Sequence, residues 1–358
     1  MEEQKDICGM LEMMLQPAFF VKEGIITLVN QAARQLLIEP DTPIHALLGE
    51  NAEEYEAFEG GCLCLTLMLS GCPTQASVTR MDGSDLFVMD QSADQAELRA
   101  MALTAMGLRE PLSDILAITE QLLPSIEQTG NSATQRKISQ MNRRLNQLHR
   151  IVCNMADAIQ YSNTPPQRMV CQDICAVLEE VFDRIGELVS ASGLCLTYSG
   201  PKEAIYCLIA AERLERAIYN IISNAMKHAP AGSSIEAKLT HRGNKLYLSI
   251  QDSGTGIPRH LLGSIYSRYR RQPGIEAQPA GLGLGMVLVR SAAAAHGGTV
   301  LIDQPGETGT RVTISLTIRK DSSGSLHSPV LNIDYAGERD HGLLELSDVL
   351  SAEFYDTK

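Results

Sequence analysis

Three short stretches hold residues whose types and spacing can do chemistry. In "NIISNAMKHAP", Asn220 and Asn224 stand four apart, so on a helix they share a face, and Lys227 follows one turn later. Amide oxygens with an ammonium suit a hydrated divalent cation and the phosphates it neutralises, because Mg²⁺ keeps several waters and takes few protein ligands. Alone, the same residues also suit a solvated helix face. In "DSGTGIP", Asp252 ends a strand and glycines follow. They permit positive φ and close approach of a ligand to the backbone, and the carboxylate can accept a hydrogen bond from an exocyclic amine. Alone, this is also a plain turn. In "GLGLGM", Gly281 to Met286, a glycine-rich run opens a helix and points free N–H groups and the positive end of the dipole at anions. It lacks the GK[ST] ending of a P-loop and does not follow a strand as a dinucleotide fingerprint does.

The elements that must position these residues lie in 170–319. That region reads as a helix over 173–190, strands at "LCLTY" and "AIYCLIA", and a helix over 211–229. A strand pair around "HRGN", a helix opening at Met286 and a final strand pair ending "RVTISLTI" follow. The alternation predicts an α/β sandwich, a mixed sheet with helices on one face.

Upstream, residues 1–92 read as a small α+β unit. "AFFVKEGIITLVNQAARQLL" gives strand, turn at Glu23-Gly24, strand and helix; "CLCLTLML", "TQASVTR" and "DLFVMD" add three strands. From Leu98 the spacing becomes helical. Leu98, Met101, Ala105, Leu108, Leu112, Ile115, Thr119, Leu122 and Ile126 alternate by three and four, the seam of a coiled coil. Gly130 and Asn131 break it, and it resumes from Ile138 through Met141, Leu145, Leu148, Val152 and Met155 to Ile159. Residues 93–163 therefore predict an antiparallel helical hairpin whose leftover apolar stripe a second chain would cover, closing a four-helix bundle. "SNTPPQR" is the linker to the sandwich. Residues 320–358 form an acidic, weakly structured tail with one short amphipathic helix within "GLLELSDVLSAEFY".

A formal charge of −13 argues against a nucleic-acid surface. No apolar run approaches the roughly 20 residues of a membrane span, and "MEEQKDICGM" lacks a basic secretory start, so a cytoplasmic protein is expected. Cys62, Cys64 and Cys72 could be read as thiolate ligands, but Cys62 and Cys64 stand in an apolar strand and are expected as buried free thiols.

Taken in order, the three stretches resemble the N, G1 and G2 boxes of the ATP-binding domain of sensor histidine kinases, in the wider group of gyrase and Hsp90. "IYSRYRR", Ile265 to Arg271, looks like the F box, and "HGGTVLIDQPGETGTRVTISL" is similar to the closing strands. The resemblance implies ATP and Mg²⁺ as cofactors. It makes Asn224 the Mg²⁺ ligand, Asn220 its partner, Lys227 the phosphate contact and His228 the residue packed on the nucleotide. It makes Asp252 the reader of adenine with Gly254 and Gly256 beside the base, and lines the phosphates with Gly281, Gly283 and Gly285. Leu282 departs from the usual Thr or Ser of the lid. Gyrase-like ATPases carry a water-activating glutamate at the position of Asn220, so vigorous ATP hydrolysis is not expected. The N-terminal unit resembles a PAS sensor domain.

In this family a dimerising hairpin precedes the ATP domain, and its first helix carries the phosphorylated histidine in a pattern like H-E-L-R-T-P-L. Here "MGLREPL" keeps Leu108, Arg109, Pro111 and Leu112, which accounts for a proline inside a helical pattern. Met106 stands at the acceptor position, however, and a thioether has no nitrogen to phosphorylate. Gly107 replaces the acidic neighbour, and Glu110 the Thr or Asn. His149, on the second helix just off the seam, is expected partly exposed and is the one substitute acceptor in the bundle. His45, His241, His260, His327 and His341 read as loop or surface residues, and His296 as the end of the helix after the G2 box.

The expectation is a homodimeric, ATP-binding histidine kinase homologue of a two-component system that does not autophosphorylate at the usual site, working with a response regulator or a partner kinase. The alternatives are a kinase acting on a His or Ser of another protein, and a non-catalytic signal-binding scaffold.

Overall fold

Alternating apolar side chains build the first unit. Strands β1 (Ala18–Lys22) and β2 (Ile25–Val29) turn at Glu23-Gly24, and helix α1 (Gln31–Gln35) follows. Asn30 caps α1, its Oδ1 accepting from Ala33 N–H at 2.9 Å and from Ala18 N–H at 3.1 Å. Short helices α2 (His45–Leu48) and α3 (Ala52–Glu56) lead to β3 (Cys62–Leu69), β4 (Cys72–Met81) and β5 (Ser84–Met89). The five strands pair antiparallel in the order β2-β1-β5-β4-β3, around a core in which Phe19 stacks on Phe87 at 4.8 Å. Every strand expected from the sequence is present.

The computed structural model describes residues 9, 11–81, 83–89, 94–127, 132–163, 169–257, 284–306, 308–319 and 340–355. The helix break at Gly130 and Asn131, most of the linker, the F-box stretch Ile265 to Arg271, Gly281, Leu282, Gly283, His260 and His327 lie outside them.

Helices α4 (Asp94–Glu127) and α5 (Ser132–Asn163) pack along each other as the expected pair. Pro111 sits inside α4 without ending it; the carbonyl its ring displaces belongs to Gly107 four residues back. The seam differs from the spacing. Ala105, Thr119 and Val152 are buried as expected, and Leu116, off the count, is buried too. Leu108 and Ile115 are instead exposed, in the company of Leu103, Met106, Ile118, Met141 and Leu148. One chain offers α4 a single helical partner. A stripe counted at 3.5 residues also drifts around a helix of 3.6, so part of it faces outward.

In the third region β6 (Val170–Asp173) and β8 (Tyr206–Ile209) form a ladder of their own, not part of the main sheet as the sequence suggested. A four-residue strand is too short to show alternation, and Asp173, its last residue, stands where the spacing predicts the start of a helix. The main sheet runs β11 (Val300–Asp303), β12 (Arg311–Thr317), β10 (Lys245–Gln251), β9 (Ser234–Arg242), β7 (Cys195–Ser199), with only β7–β9 parallel. Ile235, Ala237 and Leu239 of β9 and Leu246, Leu248 and Ile250 of β10 alternate inward. They meet α6 (Ile174–Ala191), α7 (Ala211–His228) and α8 (Gly285–Ala295) in one core.

The two sheets are one. β3 pairs antiparallel with β11, Cys62 opposite Ile302 and Cys64 opposite Val300, making ten continuous strands. The approach is close enough that a Cβ on Gly61, at φ +93°, would stand 2.2 Å from the Ile302 carbonyl. Beside the seam the Glu54 carboxylate grips the Lys245 ammonium and accepts from Ser315 Oγ at 3.0 Å, all three buried. Cys62 and Cys64 are buried free thiols, as expected, and burial pushes Cys62 up to about 12; Cys72 is exposed.

The C-terminal segment is the largest departure. It makes helix α9 (His341–Glu345), capped by Asp340, and a separate 3₁₀ turn, Ala352–Tyr355, where one helix was expected. Beyond the helix the carbonyls of Ser347 and Asp348 face α5: Arg143 donates to both at 3.3 Å and Gln147 to Ser347 at 2.9 Å. Leu344, Leu346 and Leu350 are fully buried.

Candidate functional site

Helix α7 positions the first stretch. Its inward face carries Leu214, Ile218 and Ile222 into the core, and Ala210 N–H at its start donates to His296 Nε2 at 3.0 Å. His296, at the end of α8, is itself buried, which pushes its pKa below the ordinary histidine value. Asn220 and Asn224 then face the start of α8. A Cβ on Gly285 would stand 2.7 Å from Asn220 Oδ1, and Asn224 Nδ2 lies 3.7 Å from the Met286 sulfur. Asn220 is buried, which removes the solvated-face reading for it. Its amide is held at both ends, Nδ2 donating to Arg216 O at 2.8 Å and Oδ1 accepting from Arg150 at 3.3 Å.

Asp252 follows β10 and meets the other end of α7. A Cβ on Gly254 would stand 2.8 Å from the His228 carbonyl, so glycine is required for that approach. Gly254 N–H donates to Asp252 Oδ1 at 2.7 Å and Thr310 N–H to the same oxygen at 3.2 Å. The two backbone donors converge on one oxygen and leave Oδ2 for an exocyclic amine. Gly256, at φ +75°, packs against Gln304 and the Gly309 carbonyl. The three stretches, separate in sequence, are thus gathered around the C-terminal half of α7, with Gly285 representing the third.

Burial raises the Asp252 pKa above the ordinary aspartate value, opposed by its two backbone hydrogen bonds. An exocyclic amine donates to the ionised carboxylate, so the sign is fixed: acceptance of such a donor is full above the raised pKa and falls as pH drops through it. Titrating a fluorescent ATP analogue from pH 8 downward is expected to show the loss beginning above the usual aspartate range near about 3.9.

The charged surroundings were not legible beforehand. Lys227 Nζ donates to Asp348 Oδ2 at 3.1 Å, and the same oxygen accepts from Arg150 at 2.7 Å. Arg150 also reaches Glu345 at 3.3 Å and Ser223 at 3.3 Å. Arg216, 1% exposed, bonds Glu345 at 3.0 Å and Asn154 at 2.8 Å and pairs with Asp157. A hairpin helix, the sandwich and the C-terminal segment meet in one charged network, buried at Arg150, Arg216 and Glu345 and exposed at Lys227. Burying each leucine of that segment contributes about 1.5–3 kcal/mol, against about 1–2 kcal/mol per residue of backbone ordering, so these charged contacts matter to its placement.

His149 is 1% exposed, not partly exposed as expected. Met106 is 62% exposed on α4. Arg150, Glu345 and Asp348 were missed; they carry no motif, and only the alternation of acids and leucines in "GLLELSDVL" hinted at a docked face. Among the described residues no three His, Cys, Asp or Glu side chains group to hold a metal, and no helix is long and apolar enough to cross a membrane.

Residues 209–320 match the family described as histidine kinase-, DNA gyrase B-, and HSP90-like ATPase. Among curated proteins, the chain is 26% identical over 235 residues to histidine kinase P4 of Formosa agariphila, covering 64% of this chain and 17% of that protein. It is 25% identical over 275 residues to the signal transduction histidine-protein kinase AfsQ2 of Streptomyces coelicolor, covering 72% and 49%. With the sensor histidine kinase WalK of Bacillus subtilis it shares 24% over 330 residues, covering 84% and 53%. The chain therefore spans about half or less of these relatives. Among solved structures, full-length ShkA in complex with AMPPNP superposes with a TM-score of 0.50 at 20% identity, over 62% of this chain and 46% of that one, a likeness of fold.

Proposed function

We propose that this chain, whose residues 209–320 match the histidine kinase-like ATPase family and which is similar to sensor histidine kinases, is an ATP-binding member of that family that does not phosphorylate itself at the usual position and signals through conformation and a partner. The observation that carries this is the pairing of the stretches gathered around α7 with an exposed methionine, which has no nitrogen to phosphorylate, at position 106.

The residues present fit the nucleotide. Gly254 and Gly285 let the second and third stretches approach α7 more closely than a Cβ would allow, and Asp252 keeps an oxygen for the adenine amine. Asn224 would hold Mg²⁺, Lys227 the phosphates and His228 the flank of the base, with Gly256, Gly281 and Gly283 lining the cleft. Asn220 supports α8 and Arg150 instead of reaching solvent. Bound Mg²⁺ would neutralise the phosphates. With an amide at position 220, no side chain there activates water.

The same reading divides the chain into a PAS-like sensing unit (1–92), a dimerising hairpin (93–163), the ATP domain (170–319) and the C-terminal segment (320–358), in a cytoplasmic homodimer that meets a response regulator or a partner kinase. The exposed apolar stripe on α4 supports the dimer. Ile115→Glu is expected to shift the chain to monomer in sedimentation velocity, and a stripe variant that stays dimeric would move the interface elsewhere.

The test of function is incubation with γ-labelled Mg-ATP. Wild type is expected to bind nucleotide and carry no acid-labile label, and Asn224→Ala to lose the binding. Acid-labile label on wild type would overturn the reading and send the search to other histidines, His149 first despite its burial.

A further inference from the structure

We propose that the segment from Asp340 to Tyr355 is a built-in competitor for the phosphates of the nucleotide, with Asp348 standing where a phosphate oxygen would be held. The proposal rests on the reading of Lys227 as the phosphate contact. One oxygen of Asp348 lies 3.1 Å from the Lys227 ammonium and 2.7 Å from the Arg150 guanidinium. A single anionic oxygen bridging two cations is the arrangement a phosphate oxygen adopts between a lysine and an arginine. Lys227 cannot serve the carboxylate and a triphosphate together, and a carboxylate left beside the phosphates would repel them.

The segment is delivered to that place by contacts that do not involve the nucleotide residues. Glu345, 0% exposed, fixes it to Arg150 and Arg216, and α5 holds the Ser347 and Asp348 carbonyls through Arg143 and Gln147. Arg150 belongs to the hairpin and also touches Asn220 and Ser223 of α7. Displacing Asp348 therefore removes a bond that ties the hairpin to the ATP domain. Nucleotide arrival is coupled to looser attachment of α5, and the coupling is reciprocal.

The test uses the full chain. Binding of Mg-ATP and of adenosine is measured by calorimetry on wild type, Asp348→Asn and Asn224→Ala, and amide hydrogen exchange of Leu343 to Leu350 is followed in wild type with and without Mg-ATP. Removing the competitor is expected to tighten Mg-ATP about tenfold, the factor by which a mostly docked segment lowers apparent affinity. Adenosine, lacking phosphates, should bind wild type and Asp348→Asn alike, and Mg-ATP should speed exchange in the segment. Equal or weaker Mg-ATP binding by Asp348→Asn, an equal gain for adenosine, or unchanged exchange in nucleotide-bound wild type would overturn the proposal while leaving the ATP site standing. Absence of Mg-ATP binding in both wild type and Asp348→Asn would overturn the ATP reading and this proposal together. The exchange measurement needs no variant, so misfolding of Asp348→Asn does not obscure the answer.

Discussion

Asp252→Asn is expected to weaken Mg-ATP binding about 100-fold with little change in thermal stability. The substitution keeps an oxygen that can go on accepting from the Gly254 and Thr310 N–H groups. It replaces the free oxygen with an amide N–H₂, which meets the adenine amine donor to donor. Losing one hydrogen bond to a charged group costs about 1.5–3 kcal/mol, and leaving the amine desolvated without an acceptor adds to this. Calorimetric titration beside a melting curve decides it. An affinity within threefold of wild type, in a folded protein, would remove Asp252 from the adenine site.

The second large effect is on stability. Arg216 is among the largest fully buried side chains, and it meets carboxylates from two directions, Asp157 of α5 and Glu345 of the C-terminal segment. Arg216→Met keeps much of the packing volume but leaves Asp157 buried without the cation it pairs with and Glu345 with Arg150 alone. Breaking a buried pair in this way costs about 3–5 kcal/mol, and a urea titration should show the midpoint fall accordingly. Adding Asp157→Asn and Glu345→Gln to the same chain is expected to recover a good part of the loss, because the penalty comes from uncompensated charge more than from missing contact. A single variant that unfolds like wild type would mean that water reaches these carboxylates.

Much of this was readable in the residues, for identifiable reasons. Strands such as "SIEAKLT" and "KLYLSIQ" announce themselves because one face is buried and the other is not, and the three nucleotide stretches because their residue types are spaced by a helix turn or by glycines. What stayed hidden depends on distant partners. His149 is buried although it lies off the counted seam, because a count along one helix does not include what packs beside that seam. Leu108 and Leu116 were exchanged because a repeat count fixes a stripe only when the number of neighbouring helices is known. Asp348 reads in sequence as one more acid of an acidic tail, and only the fold brings it to Lys227.

The pairing of β3 with β11 has a bearing on how a signal could travel. Two units joined by a flexible strap can each rotate freely, and news from one reaches the other only by the strap. Here the last strand of the first sheet is hydrogen-bonded to β11, β11 to β12, and the residue before β12, Thr310, holds Asp252 through its N–H and accepts from Asp252 N–H at 2.9 Å. The backbone itself forms an unbroken plate from the N-terminal strands to Asp252. Shear applied at one rim has a route to the other that bypasses the long helices, and the chain should melt across both sheets as one cooperative body.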